Sequence, residues 1–151
     1  INIPSFSGEY IRHLIPKEAE TYIPDLKNYT RYCFFRNPTE RFISACKFYR
    51  QTYDFDLTAD AVVSNFDYYK EQPTFFKQIN YFDNVQLLDF ENYEDEIRKI
   101  GLLFGKENFK ISKINVSGPK RLQISNAVLD FIKDYYAEDY KLGKEVFGKE
   151  Y

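Results

Sequence analysis

The sequence predicts an α/β layer architecture, on three observations. A short apolar run at 32–35 breaks at Asn37-Pro38 and gives way to helical spacing, and a second apolar run at 85–90 also leads into a helix. Strands and helices alternate along 151 residues, the length of one domain around a single core.

The elements follow in order. Helix is expected over 17–21, and the aromatic run Tyr32-Cys33-Phe34-Phe35 reads as a buried strand. Pro38 suits a first helical turn, and Glu40 suits the positive end of the helix dipole. Phe42, Ile43, Cys46 and Tyr49 or Arg50 recur at spacings of three and four, so a helix over about 39–51 packs one side on a core. Thr58 is a good cap for a helical stretch that reaches Phe66, and Pro73 closes that unit. Residues 75–81 fit no single pattern. A strand is expected over 85–90, and then Tyr93, Ile97, Ile100 and Phe104 mark a helix that Gly105 stops. Residues 110–116 read as a loop or short strand before Ser117-Gly118-Pro119. One long helix is expected over 122–136, with Leu122, Val128, Leu129 and Ile132 inward. No repeat or low-complexity linker divides the chain, so 1–151 is read as a single domain.

Composition narrows the function classes. Hydrophobic residues at 44% and charged residues at 29% describe a globular chain. Twenty-one Lys and Arg against 23 Asp and Glu disfavour a general nucleic-acid binder. Fourteen Tyr and 15 Phe, with no Met or Trp, put the core's bulk into rings, and some of the tyrosines suit a groove wall. Cys33 and Cys46 read as buried free thiols; their spacing suits no zinc site, and no metal is expected. No run approaches the roughly 20 apolar residues of a membrane span, and no signal peptide is visible, so the expected location is cytoplasmic.

The strand-to-helix junction is the candidate site. Arg36 and Ser44 lie within about two helical turns, at roughly 1.5 Å rise per residue, so both side chains can converge on one anion. Arginine offers planar paired donors to phosphate, and a serine hydroxyl adds a neutral one. The same spacing accommodates Arg36 paired with a carboxylate and Ser44 bonded to a backbone carbonyl. His13, the one histidine in the chain, titrates near pH 6.5 when unperturbed; it suits a proton acceptor or a structural role. Lys120 and Arg121 follow a flexible turn and fit either a solvated turn or a phosphate contact.

The stretch Arg36-Asn37-Pro38-Thr39-Glu40-Arg41-Phe42-Ile43-Ser44 resembles the 3′-phosphate signature of the sulfotransferases, Arg-x-Pro-x-x-Arg-x-x-Ser, in particular of the carbohydrate-sulfotransferase-like group. Other landmarks resemble that family in the same order. They are His13 upstream, Phe90-Glu91-Asn92 after the later strand, Asn115-x-Ser117, and Tyr136-x-x-Asp139 in a terminal helix. The resemblance implies a P-loop-NTPase-like sulfotransferase fold, a three-layer sandwich with a short parallel sheet. Residues 1–10 supply neither the lysine-bearing loop nor the strand that hold the 5′-phosphosulfate in this family, so an N-terminally truncated form is expected.

The implied activity is transfer of a sulfuryl group from 3′-phosphoadenosine-5′-phosphosulfate to an acceptor hydroxyl or amine, with carbohydrate as the expected acceptor class. Arg36 and Ser44 would hold the 3′-phosphate, Arg41 would brace the loop or touch the nucleotide, and His13 would be the base. Lys120 and Arg121 would sit in a late basic loop over the nucleotide. Acceptor specificity is expected in residues 52–84. The alternative is a noncatalytic nucleotide-binding or carbohydrate- or protein-interaction module that keeps the fold.

Overall fold

The computed structural model describes residues 14–53, 56–111 and 122–151. The sequence expectations at His13, over 112–117, and at Lys120 and Arg121 lie outside them. The described elements are helix-rich around a short two-stranded parallel sheet, a coarse α/β arrangement.

Helix α1 (Pro16–Tyr22) starts with proline in its first turn, and the Glu18 carboxylate accepts from the Ile15 N–H at 3.1 Å. A 3₁₀ turn at Pro24–Asn28 leads to strand β1 (Tyr32–Phe35). Asn37 then caps α2 (Pro38–Thr52), its side-chain oxygen accepting from the Glu40 N–H at 3.2 Å. Thr58 caps α3 (Ala59–Ser64) in the same way. The helical stretch breaks at Asn65, where the Asn65 side-chain amide donates to the Ala61 carbonyl, and resumes as α4 (Phe66–Tyr69). Two 3₁₀ turns, Pro73–Phe75 and Gln78–Tyr81, carry the chain to β2 (Gln86–Asp89). β2 lies parallel to β1 with Tyr32 opposite Gln86 and Phe35 opposite Asp89. A third turn, Phe90–Asn92, opens α5 (Tyr93–Leu103), which stops as expected at Gly105, where φ is +67°.

The helix expected over 122–136 is shorter than its spacing suggests. Ser125 caps α6 (Asn126–Tyr135) by accepting from the Val128 N–H, so Leu122 to Ile124 stay outside. The chain then turns at Tyr136 into α7 (Ala137–Phe147), which ends at Gly148 with φ +66°.

Two aromatic centres organise the packing. Phe42 on α2 is enclosed by Phe66, Phe75, Phe131 and Tyr136, with ring centroids 5.5–6.4 Å away. Around it α2, α3, α4 and α6 bury Ala45, Cys46, Val62, Val128 and Ile132. Burying a Phe side chain of this kind contributes about 1.5–3 kcal/mol. At the sheet, buried Phe35 meets Phe82, Phe147 and Tyr151. Gly143 lets α7 come this close, since a Cβ there would lie 2.7–2.8 Å from the Tyr151 and Phe35 rings. Both cysteines are free, and burial pushes the Cys46 thiol up to about 12.

Residues 75–79, which the sequence left without a pattern, tie these layers together. Buried Asp139, in the first turn of α7, accepts from the N–H groups of Gln78 at 2.8 Å and Ile79 at 2.9 Å. The Tyr136 hydroxyl donates to the Phe75 carbonyl at 2.7 Å, and Arg41 Nη1 donates to the Phe76 carbonyl at 2.5 Å. The buried Gln78 side chain exchanges two hydrogen bonds with the main chain of Arg36, at 2.9 and 2.7 Å.

Asp139→Ala leaves two N–H groups without their acceptor and lowers stability by about 2–4 kcal/mol. Glu138→Ala, one residue away, removes only an exposed ion pair with Lys77 and leaves the unfolding midpoint nearly unchanged. Urea unfolding of both variants measures the contrast, and equal losses would contradict the role of Asp139.

Candidate functional site at the carboxyl end of the sheet

Parallel strands direct their carboxyl ends to one edge, and in open α/β sheets that edge is where ligands bind. Here it is formed by Arg36 after β1, the start of α2, and Phe90-Glu91-Asn92 after β2.

The position of Arg36 is set by its main chain. Gln78 holds both its N–H and its carbonyl, so the side chain leaves from a fixed point. The guanidinium lies over the Phe90 ring, Cζ 5.0 Å from the centroid, a cation–π contact that also desolvates it. Nη2 stands 3.6 Å from Glu40 Oε2, an ion-pair distance too long for a hydrogen bond. The side chain is 29% exposed, and Nε is buried with no hydrogen-bond partner among the described residues. The structure therefore contains the Arg36–carboxylate pair that the spacing also accommodated. Ser44, half-buried on α2, lies four residues beyond Glu40 on the same helical stripe.

Arg41 turns away from this stripe. It reaches across to the Phe76 carbonyl, and its charge acts on Asp139, Tyr136, Tyr81 and Cys33. Arg41 thus braces the 75–79 segment behind the site, through a carbonyl.

The second wall is ionic. Lys149 Nζ donates to Asp89 Oδ2 and Glu91 Oε2, each at 2.7 Å, and Asp89 also accepts from the Asn92 side chain at 2.7 Å and the Glu91 N–H at 3.1 Å. These hydrogen bonds push the Lys149 pKa up. For Asp89, burial pushes the carboxyl up, but Lys149, the Glu91 N–H and Asn92 outweigh it and hold the group below the usual carboxylate range. Two cations, Arg36 and Lys149, thus face three carboxylates, Glu40, Asp89 and Glu91. An anion entering here must compete with Glu40 for Arg36.

Of the residues singled out from sequence, Arg36 precedes α2 and faces Glu40, Ser44 lies on the helix four residues beyond Glu40, and Arg41 reaches to the Phe76 carbonyl. His13, Lys120 and Arg121 lie outside the described residues. Sequence reasoning missed Gln78 and Lys149. Nothing local marks either, since each acts through a partner more than 40 residues away.

An open depression of about 400 Å³ lies at the opposite end of the strands, lined by residues 27–31 and 84–86. Arg31 lines it, donating to Glu20 Oε1 at 2.7 Å and to the Asn84 carbonyl at 3.2 Å. Those contacts pin the strand entrance, and the carboxyl edge remains the better placed for chemistry. Among the described residues no group of three or more His, Cys, Asp or Glu side chains is arranged to hold a metal. Nor is any described helix long and apolar enough to cross a membrane.

Comparison with known proteins finds no match to a family model, to a curated protein or to a solved structure.

Two buried carboxyls give opposite pH dependences. Asp89 is held low, so its contribution to stability is present above its ordinary value of 3.8 and lost as pH falls through its lowered one. Burial pushes Asp139 up against the Gln78 and Ile79 N–H groups; its contribution is full below that ordinary value and lost as pH rises through its raised one. In urea melts between pH 5 and 2.5, Lys149→Ala loses less stability on acidification than the native chain does. An identical acid slope would detach Asp89 from Lys149.

Proposed function

We propose that this chain is a sulfotransferase-type domain in which the segment from Arg36 to Ser44 binds the 3′-phosphate of 3′-phosphoadenosine-5′-phosphosulfate. The reading takes the two parallel strands and flanking helices as part of a P-loop-NTPase-like three-layer sandwich. The observation that carries it is the Arg36 guanidinium, fixed at the carboxyl end of the parallel strands with Nε unpartnered among the described residues.

The residues fit the group. Nε and Nη2 share one edge of the guanidinium, the edge that a phosphate takes with two hydrogen bonds; Nε is buried, so a phosphate takes that edge only by displacing what covers it. Phe90 lies beneath the guanidinium, Cζ 5.0 Å from its ring centroid, and shields it in part from water, which strengthens charge-assisted bonds. Ser44 supplies a neutral hydroxyl farther along the same stripe. In this reading Arg36 and Ser44 select the donor against adenylyl sulfate, which lacks the 3′-phosphate they would hold. The bound donor supplies the activated sulfuryl group. In this reading His13 accepts the acceptor's proton, and Lys120 and Arg121 add phosphate contacts. The acceptor class is carbohydrate.

One observation favours the second reading, a noncatalytic module that keeps the fold. Glu40 already faces Arg36, and the edge as a whole carries more carboxylates than cations. A radiolabelled sulfate-transfer screen over glycans, small alcohols and peptides separates the two readings, because only the first yields labelled product.

Calorimetry with 3′,5′-adenosine bisphosphate tests the site itself. Arg36→Ala loses charge-assisted bonds of about 1.5–3 kcal/mol, a rise in Kd of at least about tenfold. Ser44→Ala costs about 0.5–1.5 kcal/mol, a rise of about two- to tenfold. Glu40→Gln removes the competing carboxylate and tightens binding. No binding by the native chain, or equal binding by Arg36→Ala, rejects the phosphate site.

A further inference from the structure

Helix α5 ends in an apolar tip that projects from the described structure. Leu102, Leu103 and Phe104 are 57%, 71% and 71% exposed. They are consecutive, so on a helix of about 3.6 residues per turn they point in three directions roughly 100° apart. Every residue from 102 to 108 is exposed, and a Cβ added at Gly105 would meet nothing within 4 Å. The tip is nevertheless held in shape. The Phe104 and Lys106 N–H groups both donate to the Gly101 carbonyl, at 3.0 and 2.9 Å, and the Gly105 N–H donates to the Leu102 carbonyl at 3.0 Å. Half-buried Phe109 then folds back over Gly101, where any Cβ would strike its ring. A tip ordered in advance loses little entropy on contact.

The charges around it have one sign. Arg98 and Lys99 stand four residues before Leu102 and Leu103, one turn back on the same stripes, and Lys106 and Lys110 follow the tip. Glu107 is the one carboxylate between positions 98 and 110. Lys99 pairs with Glu96 at 2.8 Å, whereas Arg98, Lys106 and Lys110 take part in no ion pair among the described residues. The other carboxylates of α5, Glu94, Asp95 and Glu96, occupy its first turn, about 10 Å or more along the axis from Leu103. That exceeds the Debye length of about 8 Å at physiological ionic strength. Of the elements on which α5 rests, β2 and the Phe90–Asn92 turn, the carboxylates are Asp89 and Glu91, both held by Lys149 at the opposite end of the helix.

Geometry and charge together select the occupant. Side chains spread around a helix end offer no flat face to a folded partner, but a fluid surface closes around all three. Apolar residues flanked by cations on both sides match hydrocarbon behind anionic headgroups, with the Lys and Arg stems lying along the boundary and their charges at the phosphates. We propose that the α5 tip, Leu102, Leu103 and Phe104 flanked by Arg98, Lys106 and Lys110, docks on an anionic lipid bilayer. The contact is with one leaflet, since no described helix is long and apolar enough to cross a membrane. It shares no residue with the Arg36 edge and is independent of the phosphate reading.

Co-sedimentation with phosphatidylcholine vesicles containing about 30% phosphatidylserine tests it. The native chain binds them, binds vesicles of phosphatidylcholine alone at least fivefold less well, and is released by raised salt. Leu103→Ser with Phe104→Ser, and separately Lys106→Glu with Lys110→Glu, each lower the bound fraction at least fivefold at an unchanged melting temperature. The chain has no Trp, so Phe104→Trp is a single reporter that keeps a ring at the tip and reads it in a folded chain even if the serine pair melts early. Its emission shifts to the blue on the mixed vesicles and is quenched by brominated acyl chains. Absence of binding, equal binding to neutral vesicles, binding unaffected by either pair of substitutions, or Phe104→Trp emission left unquenched overturns the proposal. So does a dimer in sedimentation equilibrium that Leu103→Ser with Phe104→Ser dissolves, which would give the tip to a second copy of the chain.

Discussion

The two-way hydrogen bond between the Gln78 side chain and the Arg36 main chain holds the edge where the candidate site lies. β1 ends at Phe35, so Arg36 has no strand partner of its own; Gln78 supplies the missing donor and acceptor in its place. That arrangement requires Gln78 to be immobile, and Asp139 makes it so by accepting from its N–H and from that of Ile79. Tyr136 and Arg41 close the same segment from either side through the Phe75 and Phe76 carbonyls. A stretch of two short 3₁₀ turns is thereby held in place, because each polar group named finds a partner across the fold.

This constraint sets the geometry of the edge. With its backbone pinned, Arg36 can lay its guanidinium across Phe90, and the parallel register puts Phe35 opposite Asp89, so the residues that follow both strands meet. Lys149 then joins Asp89 and Glu91, bringing the segment after α7 onto the end of β2. Gly143 makes the approach possible, since any side chain there would strike Phe35 and Tyr151. The result is an edge whose charges are mostly matched among themselves. An anion reaching Arg36 would have to displace Glu40, whose Oε2 stands 3.6 Å from Nη2.

The legible part of the fold was the local part. Tyr32–Phe35, the helix after Asn37-Pro38, the Thr58 cap and the Gly105 stop all depend on chemistry within a few residues, and each stands where the sequence predicts it. The 122–136 helix was misjudged because its apolar spacing continues on both sides of Ser125, whereas the Ser125 side chain caps the helix by accepting from the Val128 N–H. Residues 75–81 were opaque because their order comes from Asp139, Tyr136 and Arg41, not from themselves. At the candidate site, Arg36 and Ser44 were visible from spacing alone. The carboxylate that faces Arg36 was open from the sequence, and the ring beneath it lies more than 50 residues away.

The sequence by itself determined the first strand, the start of the helix after Asn37-Pro38, the Thr58 cap and the Gly105 stop, because propensity, capping and periodicity act over one or two turns. Tertiary structure alone decided that Gln78 replaces a strand partner, that Asp139 is a buried acceptor, and that Lys149 seals β2. Each of those depends on contacts between residues far apart in the chain, whose pairing follows from burial and hydrogen-bond satisfaction across the whole core and leaves no local mark.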